Sequence, residues 1–256
     1  MAMSLLLTEV TKQFLKKNNV NASKHKFWKM KKIIFIISIV TLVTASSCVT
    51  SLQPLVTSNT VIADNRLEGA WEQDGEEYMV QKVFNSDFYK QNQKDLEKGR
   101  KENNGQLSEK DKRDSILFSR SYMITYSKDG IKYLLLGSMI KLNSHLFMNF
   151  TPVGMTNIDS TNNEAAIDLD NRINSYTIAR VEFPKNNIMK LDFIDGGYLY
   201  DQIKAGHMKI KNETDELYDT FLITASTGEL QQFLEKYGND SRFFNKENSV
   251  TLSRKS

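Results

Sequence analysis

Alternation of apolar and polar positions dominates the middle of the chain. Ile116, Phe118, Tyr122, Ile124 and Tyr126 interleave with Leu117, Ser119, Ser121, Met123 and Thr125, the period-two pattern of a strand with one face on a core. Asp129 and Gly130 supply a hairpin turn, and residues 131–141 and 142–150 carry on as a meander. A further pair of strands is predicted over 175–183 and 188–195, around the turn residues Pro184, Lys185, Asn186 and Asn187. Upstream, residues 67–71, the turn pair Asp74 and Gly75, and residues 78–84 predict a first hairpin.

Other patterns separate these strands. Residues 86–114 are charged and lack an apolar face of useful width, which predicts a solvated helix, a long loop, or both. Residues 151–174 are polar and strand-poor and read as a loop or lid. Helical signals gather in the C-terminal quarter, where residues 197–205 form a short helix ended by Gly206. Residues 207–211 and 221–224 read as short strands. Ser226 with Glu229 makes a capping box, Leu230, Phe233, Leu234 and Tyr237 repeat at helical spacing, and Gly238 stops the helix. A last strand runs over 250–254.

The N-terminal region has a different logic. Lys31 and Lys32 precede an apolar run from Ile33 to Val43, small residues follow, and Cys48, the sole cysteine, ends the stretch. That order is the layout of a secretory signal peptide, and the run is too short to span a bilayer comfortably. It resembles the signal of bacterial lipoproteins, in which a small residue precedes a cysteine that becomes the acylated mature N-terminus. Ser46 and Ser47 fit the pattern, whereas Ala45 stands where Leu is commonest. The resemblance implies residues 30–47 as signal peptide, Cys48 as the lipid anchor to a membrane, and residues 48–65 as a tether. It also implies an envelope location at the outer membrane facing the periplasm, because no acidic cluster follows Cys48. Residues 1–29 read as a mis-assigned extension before a start at Met30, the alternative being a genuine N-terminal extension.

Removing the leader reverses the charge. Residues 1–47 carry eight lysines and one acid, Glu9, of the chain's 34 basic and 31 acidic residues, so 26 bases and 30 acids remain. A net charge of −4 on that count gives no footing for nucleic-acid binding. Committing Cys48 to the anchor leaves no thiol for a disulfide, a nucleophile or a zinc site. The remaining length suits one β domain over 66–256.

Templates for catalysis or metal binding find little purchase. His145 and His207 stand alone, without the spacing of a metal site on one element. Two acid pairs can be assembled, Asp192 with Asp195 three apart on a strand end and Asp168 with Asp170 on one side of an extended segment, but spacing does not make them converge. No catalytic residue, metal ligand or cofactor is assigned.

Gly69 and Trp71 form a G-x-W at the start of the β region, and Arg254 ends the last strand. This resembles the lipocalin and calycin families, in which the Trp closes the barrel base and a basic residue on the last strand packs across its ring. The resemblance implies a mainly β, antiparallel lipocalin-like barrel with one or two C-terminal helices packed on it. In arrangement, residues 48–255 also resemble lipocalin-like lipoproteins of Bacteroidetes type, which bring no known activity. Aromatic residues on the predicted strands then become candidates to line the interior: Tyr122, Tyr126, Tyr133, Phe147, Tyr176 and Phe193, with His145 facing either the lumen or water. They either line a small apolar cavity or fill the core outright. The expected function is non-catalytic binding of a small apolar or amphipathic ligand. The alternative is a structural or accessory subunit of an envelope complex, its partner unidentified, acting through residues 86–114 or 151–174.

Overall fold

The computed structural model describes residues 49–90, 108–128, 130–157, 174–215, 220–244 and 249–255, all within the compact unit Ser47–Ser256. The signal stretch, Cys48, and the pair Asp168 and Asp170 lie outside the described residues. No helix among the described residues is long and apolar enough to cross a membrane.

The elements in chain order are β1 (Thr50–Ser51), β2 (Gly69–Gln73), β3 (Glu76–Lys82), α1 (Glu109–Arg120), β4 (Tyr122–Lys128), β5 (Ile131–Leu142), β6 (His145–Asn157), β7 (Tyr176–Lys185), β8 (Ile188–Phe193), α2 (Gly196–Lys204), β9 (Asn212–Asp215), β10 (Thr220–Ile223), α3 (Thr227–Tyr237) and β11 (Val250–Arg254). Eight of the strands form a closed antiparallel barrel. From β2 through β8 each strand pairs with the next, omitting the short β1, and β11 lies between β8 and β2 to complete the ring. The hairpins behave as their turn residues dictate. Asp74 and Gly75 both take positive φ, 51° and 84°, as the two-residue turn between β2 and β3 requires.

Two layers of apolar side chains follow from this topology. The interior holds Trp71, Val80, Tyr122, Ile124, Met139, Met148, Ala179, Leu191 and Leu252 among others. A second core lies outside the barrel wall, where Ile140, Leu142, Phe147 and Ile178 meet Leu199 of α2, Leu230, Phe233 and Leu234 of α3, and Phe243 and Phe244. β5, β6 and β7 are therefore apolar on both faces along part of their length.

Residues 49–64 are built into this outer core and are not a tether. Val49, Leu55, Val56 and Val61 are buried, each worth roughly 1.5–3 kcal/mol of transfer free energy. β1 pairs with the start of β7 and runs parallel to β10. Polar contacts fix the rest: the Leu55 amide donates to Asn149 Oδ1 at 2.9 Å, Thr227 Oγ1 to the Pro54 carbonyl at 2.7 Å, and Gln231 Nε2 to the Leu55 carbonyl at 2.8 Å. Ile62 then bridges to Met139. The Ser, Thr and Asn content that suggests a linker instead supplies turns, such as Thr57 with Thr60.

Other boundaries shift as well. Residues 116–120 belong to helix α1, capped at Ser108 by a box with Asp111, so the strand begins only at Tyr122. Alternation and helical spacing are hard to tell apart over so short a run. β6 continues to Asn157, into the segment expected to be loop, and the strand expected over 207–211 is instead β9 at Asn212–Asp215. α2 and α3 match their sequence signals, including the Ser226 and Glu229 capping box.

Candidate functional site

The base of the barrel is assembled around Gly69, Trp71 and Arg254. Trp71 is fully buried and donates its indole N–H to the Leu67 carbonyl at 2.8 Å. Arg254 sits opposite it in register, with its guanidinium carbon 4.5 Å from the ring centroid, and donates to the carbonyls of Glu68 and Arg66 at 2.7 and 2.6 Å. A cation over an indole face that also caps two carbonyls ties the last strand to the first. Gly69 is required on two counts: its φ is +132°, and a Cβ there would lie 2.5 Å from Arg254 Nη1. Tyr122, inward-facing on β4, completes the base. Its hydroxyl donates to the Asp64 carbonyl and accepts from the Asp64 amide, and Lys82 Nζ donates to it at 3.0 Å.

Above this base the interior is open. A cavity of about 340 Å³ is lined by Leu67, Val80, Ile124, Leu135, Met148, Phe150, Pro152, Met189, Leu191, Phe193, Val250 and Leu252, with polar groups from Glu76, Tyr78, Tyr126, Lys128 and Thr177. Its size falls in the range of small-molecule sites. Gly137 lets Ile124 and Met148 pack against the β5 backbone, since a Cβ there would come within 2.9 Å of Ile124 Cδ1 and 3.2 Å of Met148 Sδ.

The polar lining residues on β3 and β4 form an organised rim. Tyr78, Tyr126 and Tyr133 face one another in register across β3, β4 and β5, with centroids 5.3 Å and 4.8 Å apart and the second pair nearly parallel at 11°. Glu76 accepts from the Tyr78 hydroxyl at 2.9 Å and pairs with Lys128 at 3.3 Å. These two partners, Tyr78 first, hold the Glu76 carboxyl below its usual range. Burial, reinforced by Glu76, pushes the Tyr78 phenol up to about 12, and burial raises Tyr126 as well.

The expected lining residues divide into two groups. Tyr126 and Phe193 line the cavity, Tyr133 stacks on Tyr126, and Tyr122 lies beneath as part of the base. His145, Phe147 and Tyr176 do not line it. Phe147 packs in the outer core near Phe244, and His145 hydrogen-bonds Asn239 beyond the end of α3. Tyr176 is half-buried beside Ser51 of β1, its phenol raised by burial. The reason is parity: Met148 and Phe150 of β6 and Thr177, Ala179 and Val181 of β7 point inward, so their odd and even neighbours point out. Aromatic content alone could not assign the face. Sequence reasoning missed Glu76, Tyr78 and Lys128, although two-residue counting from the Asp74 and Gly75 turn puts Glu76 and Tyr78 on one side.

The acids near the C-terminal half serve structure. Asp192 is buried on the outer wall between Arg180 at 3.1 Å and Lys190 at 2.7 Å and accepts from Ser249 Oγ at 2.5 Å. Asp195 caps α2 through the Tyr198 amide. His207 contacts Gln202. Among the described residues no three His, Cys, Asp or Glu side chains gather where they could hold a metal ion.

Comparison with protein-family models, with curated proteins and with solved structures finds no match. Architecture therefore defines the class: a closed eight-stranded antiparallel barrel, lipocalin-like in arrangement, with C-terminal helices packed outside it.

Proposed function

We propose that this is a lipid-anchored, non-catalytic protein of the cell envelope that binds a small apolar or amphipathic molecule inside its barrel. The observation that carries this reading is the unfilled interior: an apolar cavity of about 340 Å³ above a base closed by Trp71, Tyr122 and Arg254. Burial of an apolar ligand against those side chains supplies affinity at roughly 25 cal/mol per Å² of area removed from water, less the cost of association. Residues 30–48 support the anchor, through acylation of Cys48, and the outer membrane facing the periplasm is the location that signal favours. Organic extraction of the protein purified from its own membranes, followed by mass spectrometry, should yield a stoichiometric small apolar species. Recovery of protein with none, together with no uptake of added apolar molecules, would remove the reading. Cys48→Ala should abolish incorporation of labelled palmitate, and unchanged labelling would refute the anchor.

A second reading, an accessory subunit acting through protein contacts, has one observation in its favour. Phe84, Phe88 and Ile116 are exposed where the charged insertion leaves and rejoins the barrel. Pull-down with wild type and with a Phe84→Ser, Ile116→Ser variant would separate it from ligand binding.

A further inference from the structure

The cavity is apolar over most of its wall, for example at Val80, Met148 and Leu252, and the polar groups of β3 and β4 lie where those strands meet their hairpin turns. We propose that its ligand carries an uncharged, hydrogen-bonding head group, so that the barrel takes alcohols or comparable neutral amphiphiles in preference to fatty acids. This inference rests on the ligand-binding reading above. Three features of the rim carry it. First, the two ionised side chains there neutralise one another, with Glu76 Oε1 3.3 Å from Lys128 Nζ. A carboxylate head that approached Lys128 would also meet Glu76, and an ammonium head would meet the reverse. At this partly exposed pair a charged head gains no net attraction, and any water it sheds there goes uncompensated.

Second, hydrogen-bonding capacity remains for a neutral group. The hydroxyl of Tyr126, which lines the cavity, has no hydrogen-bond partner among the described residues, while that of Tyr78 is engaged by Glu76. A phenol both donates and accepts, which matches a hydroxyl or carbonyl head. Burial raises Tyr126, so it keeps its proton at neutral pH. Third, Tyr126 is stacked between Tyr78 and Tyr133, which holds its hydroxyl at the edge of the apolar lining, so chain and head can be satisfied at one place.

The test is displacement of the neutral fluorophore N-phenyl-1-naphthylamine from the purified protein by decanol, decanoate and decylamine at neutral pH. Decanol should displace the probe at concentrations at least about tenfold below decanoate or decylamine, the scale set by burying an unpaired ion. Glu76→Gln should improve decanoate about tenfold relative to decanol, because Lys128 then lacks its counter-charge. Lys128→Met should improve decylamine about tenfold relative to decanol, because Glu76 is then left without its counter-charge. Decanoate matching decanol in the wild type, or both variants leaving the ranking of acid and amine unmoved, would overturn the inference while leaving ligand binding in place. Absence of probe binding would remove both.

Discussion

At the scale of single residues, the contact among Gly69, Trp71 and Arg254 joins the two ends of the barrel sheet. Arg254→Met removes two carbonyl hydrogen bonds and the charge over the indole, while Met still covers the ring. The expected loss is about 2 kcal/mol from these terms, read as a lower denaturant midpoint with an unchanged slope. Asp192 offers a test of a different kind. Burial pushes its carboxyl up, yet hydrogen bonds from Lys190, Ser249 and Arg180 outweigh burial and hold it below the ordinary value. A group lowered in the folded state contributes all of its stabilisation above its unfolded value, roughly pH 4, and loses it as pH falls through the lowered native value. Urea denaturation from neutral pH down should therefore show Asp192→Asn about 3 kcal/mol less stable near neutrality, because Arg180 and Lys190 lose their buried counter-charge. The gap should narrow below about pH 4; a constant gap would mean the carboxylate is not the source.

Among elements, the segment before β2 has the clearest consequence. Residues 49–64 cover the outer face of the barrel and seat α3, through Asn149, Thr227 and Gln231. A fragment starting at Arg66 would uncover Ile140, Leu142 and Ile178 and lose the four buried side chains that strap supplies. It is expected to aggregate or to unfold without cooperativity, whereas the chain from Val49 onward stays soluble and cooperative. Equal cooperativity of the two in thermal unfolding would contradict this role. The strap was hidden in the sequence because its apolar groups, Val49, Leu55, Val56 and Val61, are spaced by turns and not by a strand or helix period. The hairpin turn at Asp74 and Gly75 and the capping box of Ser226 with Glu229 were legible, since they act locally, whereas the Ser108 and Asp111 box was not. The facing of β6 and β7 was not, because a helical layer buries the outer side and leaves Phe147 as apolar an environment as Met148.

For the molecule as a whole, the sequence pattern reached the barrel and its base but left open whether the interior was hollow. The difference depends on volume across many strands: at Val80, Leu135 and Leu252 aliphatic side chains, rather than aromatic ones, line the space from separate strands. No local signal reports such a sum. Titration of the purified protein with N-phenyl-1-naphthylamine tests the central claim most directly, alongside Leu135→Trp, which fills the cavity from within its wall. The account predicts one saturable site in the wild type and at least about tenfold weaker binding in a folded Leu135→Trp variant, since the indole takes the ligand's place. Absence of saturable binding in the wild type, or equal binding in the two proteins, would contradict it.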